Sequence, residues 1–275
     1  LKFVSEHPTR NQCISVDHHS ASGDILLGCD DGMEIYSRDS GEVRHVTNHL
    51  RARVVEYKGE VFISHHDHNK TVIKVMKYNI INKTITPIYS FPMKSSFASY
   101  LSVSEKFIAS LDRDNDTLKL HNRRTEALET STGILAGLFS RRQQQLENVT
   151  LKEFKQLINL CFLPDGTLLV TGIDESKRKL NKYRLGENPE KDITLIWTCD
   201  EVSQAGGIAV SKDGIILVSG AKNKTIYVVS SNGKLISHKI LLVRYTSVHA
   251  NDTEVYLINP NQPANWVTDV RSVPV

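Results

Sequence analysis

The sequence predicts an all-β protein, a six-bladed β-propeller built from four-stranded antiparallel blades. Three observations predict it: a four-strand unit, its recurrence, and a strand missing at one end with a spare strand at the other. The unit is clearest over residues 204–242, where short apolar runs alternate with turns at Lys212-Asp213-Gly214 and Ser231-Asn232-Gly233. Asp-Gly and Asn-Gly favour tight hairpins because both residues tolerate positive φ. Four such strands in about 40 residues, the most polar last, are typical of one blade.

The same unit recurs along the whole chain, which we therefore treat as one domain, residues 1–275. The turns that mark it are spaced 36 to 61 residues apart, at Gly23, Gly59, Glu105, Gly166, Gly214 and Thr253. Because one blade cannot bury both of its faces alone, repeats of this period predict a ring. We expect blades over residues 12–47, 51–91, 97–135, 156–200, 204–242 and 245–275, with an insert at 136–155 that has helix-compatible stretches near 141–147 and 151–160.

The two ends of the chain complement each other. The last unit contains three strands, whereas residues 1–7 precede the first unit and belong to none. We expect residues 2–5 to pair with residues 266–273 and complete the last blade, because closure removes two exposed strand edges. A β-sandwich or an open β array is the alternative architecture.

Composition sets limits on partners and compartment. The net charge is +3, and no apolar run reaches the length of a membrane span, so we expect no membrane association. The start at Leu1 and the lack of a signal-peptide pattern suggest a fragment of a longer protein. Four cysteines without CxxC spacing suggest reduced thiols, with Cys29 and Cys161 packed in apolar strands, although an even number leaves disulfides open. We expect a cytoplasmic protein; six N-x-[ST] sequons leave an extracellular one open.

No catalytic signature is present in the sequence. It lacks G-x-S-x-G, P-loop, H-E-x-x-H and G-x-G-x-x-G motifs. The positions that alignment on the marker turns places at the central channel are not acidic; they are Arg51, Arg53, Phe97, Ile158, Gly206 and Tyr245. The His65-His66-Asp67-His68 run fits a solvated loop better than a metal site, because adjacent side chains diverge. We therefore expect no enzyme activity, no metal and no cofactor.

The unit at residues 206–242 resembles an NHL repeat, whose pattern its residues match at Gly207, Ile208, Ala209, Val210, Asp213, Gly214, Val218, Asn223, Ile226 and Gly233. The unit from Leu157 matches at Asp165, Gly166, Val170, Lys182 and Tyr183, whereas the other four depart from the pattern. The chain is similar to the C-terminal propellers of tripartite-motif proteins. This resemblance implies an RNA- or substrate-recognition module of a ubiquitin ligase, itself monomeric, in a parent that oligomerises through an upstream coiled coil.

Basic residues concentrate on the loops that connect second to third strands and one blade to the next. We predict that an RNA or protein partner binds there, at Arg51, Arg53, Lys155, Lys177, Arg178, Lys179, Lys222, Lys224, Arg244 and Tyr245. Exposed loops also carry charge without any partner. A propeller enzyme of the lactonase or lyase type, with a metal site in the central channel, remains the alternative function.

Overall fold

A computed structural model gives the fold of the chain. It describes residues 2–8, 12–48, 51–67, 70–79, 81–93, 100–112, 115–123, 147–175, 177–189, 191–220, 223–241, 247–250, 254–258 and 264–269. Among these residues, no helix has the length and hydropathy that crossing a membrane requires.

The described residues form short β-strands along the whole length of the chain. The first half contains β1 (Lys2–Pro8), β2 (Cys13–His18), β3 (Ile25–Cys29), β4 (Gly32–Tyr36), β5 (Val43–Thr47), β6 (Arg53–Tyr57), β7 (Glu60–Asp67), β8 (Lys70–Asn79), β9 (Thr84–Met93), β10 (Leu101–Val103), β11 (Phe107–Asp112) and β12 (Thr117–Asn122). The second half contains β13 (Glu147–Val149), β14 (Gln156–Phe162), β15 (Leu168–Asp174), β16 (Lys177–Leu185), β17 (Ile193–Cys199), β18 (Ala205–Val210), β19 (Ile216–Gly220), β20 (Thr225–Val229), β21 (Leu235–Ile240), β22 (Ser247–Ala250), β23 (Glu254–Ile258) and β24 (Ala264–Asp269).

These strands pair into antiparallel sheets of four. Five sheets follow the chain in order: β2–β5, β6–β9, β10–β13, β14–β17 and β18–β21. The remaining sheet has the order β1-β24-β23-β22, and β1 pairs with β24 from Lys2 opposite Asp269 to Pro8 opposite Ala264. We number the sheets one to six, from β2–β5 to the sheet that contains β22. The predicted all-β propeller of four-stranded antiparallel blades is confirmed.

The sheets pack against one another around a central axis. The innermost strands contact one another in the order β2, β6, β10, β14, β18 and β22, and β22 in turn contacts β2. In the described part of the chain, buried apolar clusters lie between successive sheets, and one that includes Val16 and Tyr256 joins the first sheet to the last. Because each face of a sheet is covered by a neighbour, these strands are apolar on both faces.

Hairpin turns form where the sequence places Asp-Gly between apolar runs. Gly166 and Gly214 have φ of 79° and 78°, in the region that glycine adopts without steric cost. The amide of Gly166 donates to the carbonyl of Leu163, and that of Gly214 donates to the carbonyl of Ser211. These turns therefore connect innermost strands to their neighbours as the sequence predicts.

Three local expectations differ from the structure. The outer strand of the third sheet is β13, which lies inside the range predicted as an insert. Leu157 and Leu160 belong to β14 rather than to a helical turn, because their apolar side chains pack between two sheets. His65, His66 and Asp67 lie in β7 rather than in a loop; residue 68 lies outside the described residues.

The cysteines also differ from the expectation of free thiols. Cys13 and Cys29 form a disulfide because they lie directly opposite each other on β2 and β3, a pairing that their sequence spacing does not reveal. Cys161 and Cys199 are free. The expectation that Cys29 is a free thiol was wrong.

Candidate functional site

A cavity of about 550 Å³ lies on the axis of the molecule. All six innermost strands contribute to its wall, and the wall also includes Tyr57, Lys58, Leu163 and Pro164, at the turns that follow β6 and β14. The cavity therefore extends to the end of the ring where the first hairpin of each sheet turns. The cavity brings polar side chains together from different sheets, as ligand-binding clefts do.

Three titratable side chains converge in this wall. Nδ1 of His249, on β22, lies 3.1 Å from Oδ1 of Asp17, on β2. Nε2 of His249 lies 2.8 Å from Nδ1 of His18, the residue that follows Asp17. In the tautomer that fits both contacts, His249 donates through Nδ1 to Asp17 and accepts through Nε2 from His18. We call these three residues the axial triad.

The carboxylate of Asp17 is held by backbone amides. The amide of Glu56, on the neighbouring β6, donates to Oδ2 over 2.9 Å, and the amide of His18 donates to Oδ1 over 2.7 Å. Burial raises the pKa of Asp17 to about 7, although these two amides and the neighbouring His18 oppose the rise. The side chain therefore sits at the junction of two sheets, where its charge is costly.

Packing restricts the orientation of both histidine rings, and burial affects the protonation of His249. The ring of Tyr256, from β23, stacks with His18 and His249 at centroid distances of 6.3 and 6.0 Å. Tyr256 is itself buried, so it limits how both imidazoles can rotate. Burial lowers the pKa of His249 to about 4. A neutral imidazole at ordinary pH is the form that accepts a proton or a metal ion.

The turn after the axial triad is irregular but well anchored. The amide of His19 donates to the carbonyl of Asp24, and the amide of Gly23 donates to the carbonyl of His19. The buried carboxylate of Asp24 accepts from Tyr78 and Lys83, each over 2.7 Å. These partners lie in the second sheet, so contacts between sheets fix a turn that the repeat pattern does not define.

The axial triad has a donor set suited to a metal ion. One atom each from Asp17, His18 and His249 lie within 4.8 Å of one another. Cys13, Cys29 and Glu34 also lie close together, but the two sulfurs there are joined in the disulfide. Among the described residues, the axial triad is therefore the better candidate.

Other polar groups in the wall have structural roles. The hydroxyl of Ser15 accepts from the amide of Val54, and that of Ser102 accepts from the amide of Phe162, so both link neighbouring innermost strands. Burial raises the pKa of Cys161 to about 12. A thiol with so high a pKa is a poor nucleophile at neutral pH.

The predicted partner-binding residues are distributed differently. Lys177, Arg178 and Lys179 line a separate depression of about 400 Å³ with Asp200, Ser203 and Gln204. Arg178 donates to the carbonyl of Ala205, and Lys179 pairs with Asp174 over 2.7 Å. Since Gln156 at the start of β14 pairs with Ile173 at the end of β15, this depression lies at the opposite end of the ring from the hairpin at Pro164.

Of the other predicted residues, Arg53 lines the axial cavity. Arg51, Lys155 and Lys224 are exposed; Lys222, Arg244 and Tyr245 lie outside the described residues. Ile158 and Gly206, predicted as channel positions, are not part of the cavity wall as described, and Phe97 is outside the described residues.

The sequence interpretation missed the axial triad. It sampled one position per unit, near the start of each innermost strand, whereas Asp17, His18 and His249 lie towards the ends of β2 and β22. The available signal was an Asp-His pair ending a β-rich run in the first unit and a histidine at the corresponding place in the last. The packing of the last sheet against the first brings those two units together, although 231 residues separate the two histidines.

Comparison with protein-family profiles and with curated proteins gives no match. Solved structures of propeller type are similar in fold. A Bacteroides thetaiotaomicron protein of unknown function has a TM-score of 0.69 at 10% identity, over 97% of this chain and 72% of that one. A glucose dehydrogenase has a TM-score of 0.63 at 12% identity, over 97% of this chain and 99% of that one. A streptogramin B lyase has a TM-score of 0.62 at 9% identity, over 96% of this chain and 97% of that one. At these identities the likeness shows that the chain has the fold of a β-propeller.

Proposed function

We propose that this chain is an enzyme that acts on a small polar molecule in its axial cavity, with a divalent metal ion bound by His18 and His249. The convergence of the axial triad carries the proposal. Two imidazole nitrogens and a carboxylate from opposite ends of the sequence meet in one cavity wall, where burial makes polar groups costly unless they have a role.

The donor chemistry fits a metal of the zinc class. Imidazole nitrogens bind Zn²⁺ at about 2.0–2.1 Å, so two of them in a tetrahedral site are about 3.3 Å apart. His18 Nδ1 and His249 Nε2 are 2.8 Å apart, and a small rotation of one ring gives that separation. Asp17 then remains hydrogen-bonded to Nδ1 of His249, as carboxylates often are behind metal-binding histidines.

Each residue has a distinct task in this proposal. Asp17 fixes the tautomer of His249, so that Nε2 presents its lone pair to the cavity. Tyr256 keeps both imidazoles in place, and Ile208 and Leu160 contribute apolar surface to the cavity wall. A divalent ion supplies Lewis-acid catalysis. Hydrolysis and elimination, the reactions of the lactonase and lyase alternative, both use such a site.

The fold neighbours support an enzyme as well as a binding role. Two of the similar structures are a glucose dehydrogenase and a streptogramin B lyase. We infer from these neighbours that this architecture accommodates catalysis, and not that the chain shares either reaction, because fold alone does not define function.

The proposal includes the ring that brings the triad together. We propose six blades, closed by β1 as the fourth strand of the last blade. The pairing of β1 with β24 and the contact of β22 with β2 support this arrangement. His18 and His249 meet only if the first and last sheets are neighbours, so ring closure and the site depend on each other.

Isothermal titration with Zn²⁺ and Mn²⁺ tests the proposal. We expect one site per chain in the wild type, and a loss of affinity of at least about tenfold in His249→Ala, since removing one ligand or its support has effects of 10- to 100-fold. His238→Ala is the matched control, because His238 is exposed on the outer strand β21. Equal metal binding by wild type and His249→Ala contradicts the site.

Activity is then sought with the metal-loaded protein on a panel of lactones, esters and small polar elimination substrates. We expect turnover that His249→Ala abolishes and that His238→Ala retains. Metal binding without turnover on any class of substrate supports a metal-dependent binding protein instead.

A second candidate function is partner recognition through the basic depression at Lys177–Lys179. Its size and position on a loop-bearing end of the ring favour it. Asp200 in the same wall and the pairing of Lys179 with Asp174 reduce its positive charge, which favours an acidic protein segment over RNA. The NHL-like pattern of two sheets supports the same candidate, including a cytoplasmic ubiquitin-ligase context. Electrophoretic mobility shift with pooled RNA at two salt concentrations separates the two partners, because phosphate contacts are steeply salt-dependent.

A further inference from the structure

The axial cavity has a cationic part as well as the axial triad. Arg53, the first residue of β6, lines the cavity. Its guanidinium carbon lies 4.0 Å from the centroid of the Tyr100 ring, and its Nη1 donates to the carbonyl of Ile14 over 3.3 Å. A stacked, hydrogen-bonded guanidinium is fixed in position, so little conformational entropy is lost when it binds a ligand.

The cationic part and the triad are separated along the same pair of strands. Arg53 contacts the backbone at Ile14, whereas the triad begins three residues later along β2, at Asp17. At about 3.3 Å per residue, this places the guanidinium of Arg53 about 10 Å from the axial triad. The backbone shows the same order on β6, because Glu56, three residues after Arg53, donates its amide to Asp17.

Other charged groups near the cavity are committed to surface contacts. The carboxylate of Glu56 accepts from the hydroxyl of Ser20 and the amide of Gly59 at the hairpin. Lys58 pairs with the exposed Glu105. Of the described cations in the cavity wall, Arg53 lies on an innermost strand, and the planar fork of a guanidinium matches the two oxygens of a carboxylate or phosphate.

We propose that Arg53 and Tyr100 form an oxyanion-binding subsite, so that the substrate carries a carboxylate or phosphate group about 10 Å from its reacting centre. This inference rests on the proposed function, since it specifies the class of molecule that the cavity takes. Arg53 acts here as a specificity residue that holds the substrate. The reacting end then lies at the axial triad.

Titration with inorganic phosphate and with succinate, at low ionic strength, tests the subsite. We expect saturable binding of at least one of the two anions. Which anion binds shows whether the subsite takes a phosphate or a carboxylate group. Arg53→Met keeps most of the side-chain length and removes the charge, so we expect affinity to fall at least about tenfold. Arg53→Lys keeps a point charge without the fork, and we expect an intermediate loss.

Arg123→Met is the matched control. Arg123 also lies over an aromatic ring, at 4.8 Å from Tyr57, and also donates to a backbone carbonyl, that of Ser104. It pairs with Glu60 and does not line the cavity. We expect its loss to leave anion affinity unchanged. Absence of binding by both anions, unchanged affinity in Arg53→Met, or an equal loss in Arg123→Met would each overturn the subsite.

Two further measurements separate folding from binding and this inference from the proposed function. Tyr100→Leu removes the ring that orients the guanidinium while keeping Arg53, and we expect weaker anion binding even if Arg53→Met unfolds. Zn²⁺ titration of Arg53→Met should give the wild-type affinity. Loss of anion binding with intact metal binding is the result expected of a subsite; wild-type metal binding without any anion binding removes the subsite and retains the proposed function.

Discussion

The fifth and first sheets differ in how closely they follow the repeat pattern and in the side chains that they contribute to the axial cavity. The fifth sheet follows the repeat pattern most closely, and it contributes small or apolar residues to the cavity, Ile208, Ala209 and Val210. The first sheet has the least regular turn, and it supplies Asp17 and His18. Regular repeats are sufficient to build the ring, whereas the departures from the pattern place chemical groups in it.

The largest expected effect is on the closure of the ring. Deleting residues 1–8 removes β1 and leaves β24 as an exposed edge, so we expect a loss of stability on the order of 3 kcal/mol, or aggregation. Thermal melting and light scattering measure it. A synthetic peptide of residues 1–8 should restore the melting temperature. An unchanged melting temperature in the truncated protein would refute the closure.

Substitutions at two glycines separate the effect of close packing in the first sheet from that of turn geometry in the fourth. A Cβ at Gly28 would lie 2.9 Å from the carbonyl carbon of Ala52 and would also clash with Ser15, which links β2 to β6. We expect Gly28→Ala to cost about 2–3 kcal/mol, as overpacking does. Gly166 has open space around its Cβ position and only its positive φ to disfavour a side chain, so Gly166→Ala should cost about 1 kcal/mol. Urea unfolding measures the loss of stability in both variants. A larger loss in Gly166→Ala than in Gly28→Ala would contradict this account.

The anchored turn of the first sheet predicts a pH dependence. Burial raises the pKa of Asp24, but hydrogen bonds from Lys83, Tyr78 and Ser22 outweigh it and hold the pKa below its ordinary value of 3.8. A lowered pKa in the folded state stabilises the protein above that value, and this stability is lost as the pH falls through the folded pKa.

Asp24→Asn should therefore cost about 1–2 kcal/mol at neutral pH, because Lys83 and Tyr78 lose a charged acceptor. It should also flatten the dependence of unfolding free energy on pH below about 4. Urea unfolding between neutral and acidic pH measures both, with Asp213→Asn, an exposed turn residue, as the control. A variant that retains the full acid dependence would show that Asp24 is not its source.

The smallest effect is expected at the basic depression. Reversing Lys177, Arg178 and Lys179 to Glu removes the Arg178–Ala205 hydrogen bond and the Lys179–Asp174 pair, and we expect a cost of about 1 kcal/mol. Lys177→Glu alone should stay within about 0.5 kcal/mol. Zn²⁺ affinity should be unchanged in the triple variant. If metal binding falls with it, the two ends of the ring are coupled in a way that the separation of the two cavities does not explain.

Sequence reasoning predicted much of the fold, because hairpin turns and apolar runs are local signals. The turn glycines at 166 and 214 and the strands on either side are examples. It placed the outer strand of the third blade ahead of the insert, whereas β13 follows the polar run at 141–145 and has three residues. It did not predict the Cys13–Cys29 disulfide, because opposition across two strands depends on register and not on spacing.

The candidate site was harder to predict, for a physical reason. Asp17 and His249 are each unremarkable in their local sequence, and they meet because the last sheet packs against the first. Neither strand's local sequence shows that the two sheets are neighbours, which is a property of the whole ring. Arg53 was expected both as a central-channel position and as a partner-binding residue, and the structure places it in the wall of the axial cavity beside Tyr100.

Anomalous diffraction from crystals soaked in Zn²⁺ tests the central claim most directly, because it locates the ion rather than inferring it from affinity. We expect a single strong peak between Nδ1 of His18 and Nε2 of His249, with Asp17 still bonded to Nδ1 of His249, and no peak in crystals of His249→Ala. A peak at another site, or a wild-type crystal without density between the two imidazoles, would contradict the account.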